Sequence, residues 1–263
     1  MAKVIAPFII TGTLDDINFV ATADGGNYAR MKGNTGVTSQ EFKNNPIFDR
    51  IRDQGKEFGH CVKKSAIFRQ LAVRFYNLAK DGSIAGRANK LLLEILQEDT
   101  TQPQGKRTLA EGLKTNDGKE LLPLFESNKL RPIRKVLKMK EQCNPNTQTV
   151  TLEDFSALEH LDWPEEATHV HLATATANWD FENDRFNTCY SNEYILDKES
   201  EKQTVILTTD KPMGDHLHLT YLFIGFGKQE RKKYKMLHRK NNTATIIAFH
   251  VPLSLNQSPN TEN

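Results

Sequence analysis

The sequence predicts an α+β protein: an N-terminal β-hairpin or meander with a helical hairpin, followed by an antiparallel β-sandwich. Three textures predict it. A glycine-punctuated β pattern runs to about residue 38, a basic helical block runs from Ser39 to Gln97, and period-two alternation runs from Thr147 to Val251. A chain of 263 residues exceeds the size at which one core is the default. The expected division is a β-hairpin plus helical domain over 1–105, a linker or ambiguous segment over 106–146, a β-sandwich over 147–255 and a flexible tail over 256–263.

In the first segment, Val4, Phe8 and Ile10, then Ile17, Phe19 and Tyr28, have strand character. Gly12, Asp15-Asp16 and Asp24-Gly25-Gly26 supply turn chemistry between them. Two or three strands are marginal alone, so this piece must lie on the helices, join another sheet or pair with a neighbouring subunit.

The helical block opens with Asn45 as N-cap, Pro46 at the first helical position and Asp49 in the first turn. Apolar residues follow at Ile47, Ile51, Phe58, Val62 and Ala66, with Gly55 on that stripe and Gly59 beside it. Mid-helix glycine weakens a helix unless another backbone comes close, which makes Gly55 and Gly59 an expected packing seam. The pattern resumes from Phe68 to Ala79. Asp81-Gly82-Ser83 marks a stop and a new N-cap, and a further helix carries Ala85, Ala88, Leu91, Leu92, Ile95 and Leu96 on one stripe. Residues 107–141, with an apolar Leu121–Phe125 patch, stay unassigned.

From Thr147, six strand-like stretches in about a hundred residues, split by FENDR, DKPMGD and RKNN, suggest an immunoglobulin-like sandwich.

Composition narrows the function. With 38% hydrophobic and 26% charged residues the chain is neither disordered nor a membrane protein, and no run approaches the ~18 apolar residues a membrane helix needs. Met1–Thr13 lacks the pattern of a secretion signal, so a cytoplasmic location is expected. Cys61, Cys143 and Cys189 are far apart and form no metal or disulfide framework. The halves are oppositely charged: residues 1–145 hold 24 Lys and Arg against 16 Asp and Glu, and the remainder 11 against 17. Such asymmetry suits either a nucleic-acid face or head-to-tail attraction between subunits.

The motifs GTLDDINF (Gly12–Phe19), DGGNYARMKG (Asp24–Gly33), NPIFDRIR (Asn45–Arg52), KEFG (Lys56–Gly59) and ATHVHL (Ala167–Leu172) carry a resemblance. On them the chain resembles a family of uncharacterised proteins from Bacteroidota, most densely over the first hundred residues. The resemblance implies small non-secreted proteins with an N-terminal hairpin, a helical hairpin and a β-sandwich, and it brings no activity, cofactor or catalytic residue. A more distant likeness, of architecture only, is to virion and tail-like assembly proteins.

Each chemical candidate has a structural alternative. His169-x-His171 and His216-x-His218 place two imidazoles on one face of a strand, where they could converge on a metal; alternatively Val170, Leu172, Leu217 and Leu219 face the core and the histidines face solvent. His60-Cys61 lacks an orienting third group for a nucleophile. Asp15-Asp16 and Glu165-Glu166 sit where turns and helix starts favour acids. Lys63, Lys64, Arg69 and Arg74 on the helices, with Lys232, Lys233 and Lys235 around Tyr234, could meet phosphates; a Lys-rich hairpin also protects a sheet edge.

The leading expectation is a non-enzymatic structural protein without a cofactor, a self-assembling homo-oligomer. Its interface would include Phe8, Ile10, Phe19, Tyr28, Gly55 and Gly59, with other assembly proteins as further partners. Nucleic-acid binding through the basic helices, and a metal held by the histidine strands, are the alternatives.

Overall fold

The structure, a computed structural model, describes residues 2–5, 8–22, 25–33, 36–230 and 233–251, and the backbone alone at Lys233. The chain is α+β with antiparallel sheets. It divides into two compact units, Met1–Asp49 and Arg50–Asn263. The expected tail over 256–263, Lys232 and the Asp24 turn position lie outside the described residues.

In the first unit, strands β1 (Ala2–Lys3), β2 (Gly12–Leu14), β3 (Ile17–Ala21) and β4 (Asn27–Met31) form one sheet in the order β1-β4-β3-β2. The Asp15-Asp16 turn joins β2 to β3, with Asp15 in the left-handed region at φ 49° that a short acidic residue tolerates. After the sheet comes helix α1 (Ser39–Asn44), started by a capping box in which Thr38 and Glu41 satisfy each other's backbone N–H. Asn45 then caps a 3-10 turn at Pro46–Phe48 by accepting from the Ile47 N–H, as the Asn-Pro pair predicts. None of the described residues among 2–49 is buried.

The second unit opens with helix α2 (Asp49–Phe68), followed by α3 (Val73–Leu78) and α4 (Ile84–Gln97). On α4 the expected stripe is buried at Ala88, Leu91, Leu92, Ile95 and Leu96 and half-buried at Ala85. Ser83 makes no capping bond; the neighbouring Asp81 carboxylate does the local work instead. It accepts from the Ser83 N–H, from Arg87 and from the Lys129 N–H. Burial opposes ionisation of Asp81, yet these donors hold its carboxyl below the usual range.

Residues 106–146, expected as a linker or ambiguous segment, contribute residues to the core. Helices α5 (Leu109–Gly112), α6 (Asn116–Leu121) and α7 (Ile133–Val136) bury Leu109, Leu113, Leu122, Phe125, Ile133 and Val136. A Cβ at Gly112 would collide with the Ile95 carbonyl oxygen, so the close helix approach that a glycine permits occurs between α4 and α5.

The strands are β5 (Gln142–Asn144), β6 (Thr149–Phe155), β7 (His169–Asp180), β8 (Arg185–Tyr190), β9 (Tyr194–Asp197), β10 (Gln203–Thr208), β11 (Leu217–Glu230), β12 (Lys233–Met236) and β13 (Thr243–His250), with helix α8 (Ala157–His160) between β6 and β7. The long central pair β7 and β11 carries β8, β9, β12 and β13 in a six-stranded sheet, and β10-β6-β5 form a second. The large sheet is covered on both faces. On one, Val170, Leu172, Leu222, Ile224 and Phe226 share a core with Val150, Leu152, Val205 and Leu207 of the small sheet. On the other, Ala173, Ala175, Ala177, Trp179, Tyr221 and Phe223 meet Phe68, Phe75, Tyr76 and the α4 stripe. The expected boundary near 105 is thus displaced to Asp49, because the helical block shares its core with the strands of the C-terminal half.

Candidate functional site

The N-terminal sheet has one apolar face. In the register, Ile17 lies opposite both Leu14 and Met31, which makes a row of three large side chains across β2, β3 and β4. They are 66% (Leu14), 40% (Ile17) and 70% (Met31) exposed. Phe19 is two residues from Ile17 and shares its face, and Phe8 and Ile9 before β2 are exposed as well. Of the expected interface residues, Phe8 is exposed and Ile10, Phe19 and Tyr28 are half-buried. Tyr28 pairs with Val20 rather than Phe19, which puts it on the opposite face. Sequence reasoning missed Leu14 and Met31, although alternation continued through the hairpin would have found them.

Helix α2 has two faces. Glu57, Cys61, Lys64, Ser65 and Phe68 are buried. The stripe of Ile51, Gly55, Phe58 and Val62 is turned outward, with Ile51 55%, Phe58 47% and Val62 37% exposed. A Cβ built at Gly55 or Gly59 meets nothing within 4 Å. Among the described residues nothing closes on the expected packing seam, and the apolar stripe on which it lies is not the buried side of α2.

The histidine pairs do not converge. Along β7, His169 pairs with Gly227 and Asn178 with His218, a separation of nine residues or about 30 Å. His169 and His171 share the face of Ala173, whereas His218 meets Asn178 on the face of Val170 and Leu172. Nor are His169 and His171 solvated: both are buried. His171 Nδ1 donates to Glu193 Oε2 (2.8 Å), His169 Nδ1 pairs with Thr168 Oγ1 (3.1 Å), and the Tyr234 ring sits 4.4 Å from the His169 ring. Burial, then the neighbouring His171, pushes the His169 pKa down. At the other end His218 Nε2 accepts from Asn178 (2.9 Å), and His216 lies 3.6 Å from Asp180. Among the described residues, no group of three or more His, Cys, Asp or Glu is placed to hold a metal ion.

Cys61 is fully buried, and burial with Glu57 nearby pushes its thiol up to about 11, so it is no nucleophile near neutral pH. Exposed Glu166 lies 3.8 Å from the Lys228 ammonium at the surface.

The basic candidates differ in what they contact. Lys63 is exposed, but Lys64 is buried and gives its ammonium to Asp184 (2.6 Å) and the Phe181 carbonyl. Arg69 donates to the Ser65 carbonyl, Arg74 stacks 4.9 Å over the Tyr190 ring, and Lys235 pairs with Glu230 (3.3 Å). Lys233 falls on β12.

Two clefts remain. One of about 650 Å³ lies between α2 and residues 102–111, with His60 at its wall. Its floor is self-satisfied: Arg107 Nε and Nη2 grip both Glu57 oxygens (2.9 and 2.6 Å), and the Gly105 N–H adds a third bond (2.7 Å). The Arg107 hydrogen bonds, against burial, hold Glu57 below its usual pKa. The second, about 190 Å³, is lined by His218, His250, Asp215, Lys211 and Thr220. No helix among the described residues is long and apolar enough to cross a membrane. No family model matches this chain, and no curated protein or solved structure matches it.

Proposed function

We propose that the chain is a non-enzymatic structural or interaction protein that self-associates through its N-terminal strands and helices. The two packed sheets, taken as an immunoglobulin-like sandwich backed by helices, are the displayed part. One observation carries the proposal. The N-terminal unit folds a four-stranded sheet, leaves Leu14, Ile17 and Met31 in an open row, and has no buried residue among those described. A sheet with an apolar face gains stability when that face is covered, at roughly 1.5–3 kcal/mol for each large side chain fully buried. An uncovered apolar patch on a folded unit is the ordinary mark of an interaction surface.

Light scattering across a concentration series tests this. The expected result is a mass that is a multiple of 29.9 kDa, reduced to the monomer by Leu14→Lys with Met31→Lys. A wild-type chain that stays monomeric at every concentration sinks the proposal. The nucleic-acid alternative loses Lys64, which is buried against Asp184; it predicts binding that falls steeply with salt.

A further inference from the structure

We infer that the outward face of α2 pairs antiparallel with α2 of a second copy, about a two-fold axis passing between positions 56 and 57. The inference rests on the self-association proposed above and specifies how its helical part is made. Ile51, Gly55, Phe58 and Val62 are spaced by four, three and four residues. At 100° per residue they fall within one arc of about 60°, and the buried side of α2 lies roughly 100° away around the helix. That spacing reads the same in both directions. An antiparallel two-fold therefore sets Ile51 against the copy's Val62 and Phe58 against the copy's Gly55, twice over, as an isologous contact requires.

The shapes fit in this register and in no parallel one. A built Cβ at Gly55 or Gly59 meets only open space, so each copy offers a bare stretch of backbone where the other offers a half-exposed ring. A parallel pair would set ring on ring and glycine on glycine, leaving one place crowded and the other hollow. Glycine inside a helix is costly without a compensating close approach, and among the described residues nothing comes within 4 Å of a Cβ at either position.

Size fixes the occupant's other requirement. From Ile51 to Val62 the seam is about 17 Å long and about 10 Å wide, one helix across, an area well short of the ~800 Å² that each partner of a stable dimer contributes. The second copy must also cover apolar surface elsewhere, and the Leu14, Ile17 and Met31 row is available.

Sedimentation of the full chain and its variants tests the pairing. Phe58→Glu alone and Gly55→Lys alone should each weaken association at least tenfold. The double variant Gly55→Lys with Phe58→Glu should recover it, because the two changes face each other across the axis. Under mild oxidation, Ile51→Cys with Val62→Cys should give covalent dimers, while either cysteine alone gives no more than wild type does through Cys143 and Cys189. Phe58 is outside the core, so unchanged thermal unfolding of a dilute sample confirms that Phe58→Glu leaves the fold intact. A monomeric wild type overturns this inference together with self-association. An oligomer indifferent to Phe58→Glu overturns the α2 pairing alone, and so does cross-linking by Ile51→Cys on its own.

Discussion

Residues 2–49 and 50–251 use the same raw material to opposite ends. In the second unit Trp179, Tyr221 and Phe223 project from a sheet with a layer on each face and are fully buried. In the first, Leu14, Ile17 and Met31 project from a sheet just as regularly paired and stay exposed. Strand pairing is satisfied in both, so the difference lies in layering. A sheet becomes a core only when something packs on it. Truncation separates the two cases. Phe223→Ala, which removes a ring stacked 5.0 Å from Phe75, should cost about 3–5 kcal/mol in chemical denaturation. Met31→Ala should change the dilute protein by less than about 0.5 kcal/mol while weakening association. Equal costs at the two positions would erase the distinction.

A polar contact sharpens it. Glu57 is buried on α2, and its charge is met by Arg107. Arg107→Ala strands that carboxylate and should cost about 3 kcal/mol at pH 7. Because the folded pKa of Glu57 is depressed, the pair's stabilisation is present above the unfolded carboxyl value and fades as pH falls through the folded one. The variant's penalty should shrink accordingly in acid. A cost independent of pH would mean that Arg107 acts by packing alone.

Much of the fold was legible because its signals are local. The Asn45-Pro46 start, the Asp15-Asp16 turn, the α4 stripe and the alternation along β6, β10 and β13 all follow from neighbouring residues. Layering is not local. On β7, eleven of twelve residues are buried, so apolar and polar positions cease to mark inside and outside. The surviving clue was size: Ala173, Ala175 and Ala177 line the face on which helices lie close. The same blindness hid His169 and His171 in a second core and made the Ile51–Val62 stripe look inward. It also split the helical block from the strands that cover it, since nothing in Phe68 or Leu92 announces a partner a hundred residues away.

Titration provides the smallest and most selective comparison. In the second unit Glu126 is pushed up to about 7, chiefly by burial, although its carboxylate accepts from the Ile133 N–H (3.1 Å). In the first unit the exposed Glu41 is lowered, first by the Thr38 backbone N–H and then by the Thr38 hydroxyl. The signs oppose each other. A folded pKa above the unfolded one means that the native state holds its proton longer, so the Glu126 contribution is fully present below the unfolded value of about 4.5 and is lost as pH rises toward 7. Glu126→Gln keeps an acceptor for Ile133 without the charge. It should stabilise the protein by about 1–2 kcal/mol at pH 8 and leave it nearly unchanged at pH 4. Glu41→Gln should do the reverse, losing a little above neutral pH and nothing in acid, because its hydrogen bonds favour the ionised form. Denaturant midpoints at the two pH values decide the matter: if both glutamines shift stability in the same direction, burial is not what distinguishes the two units.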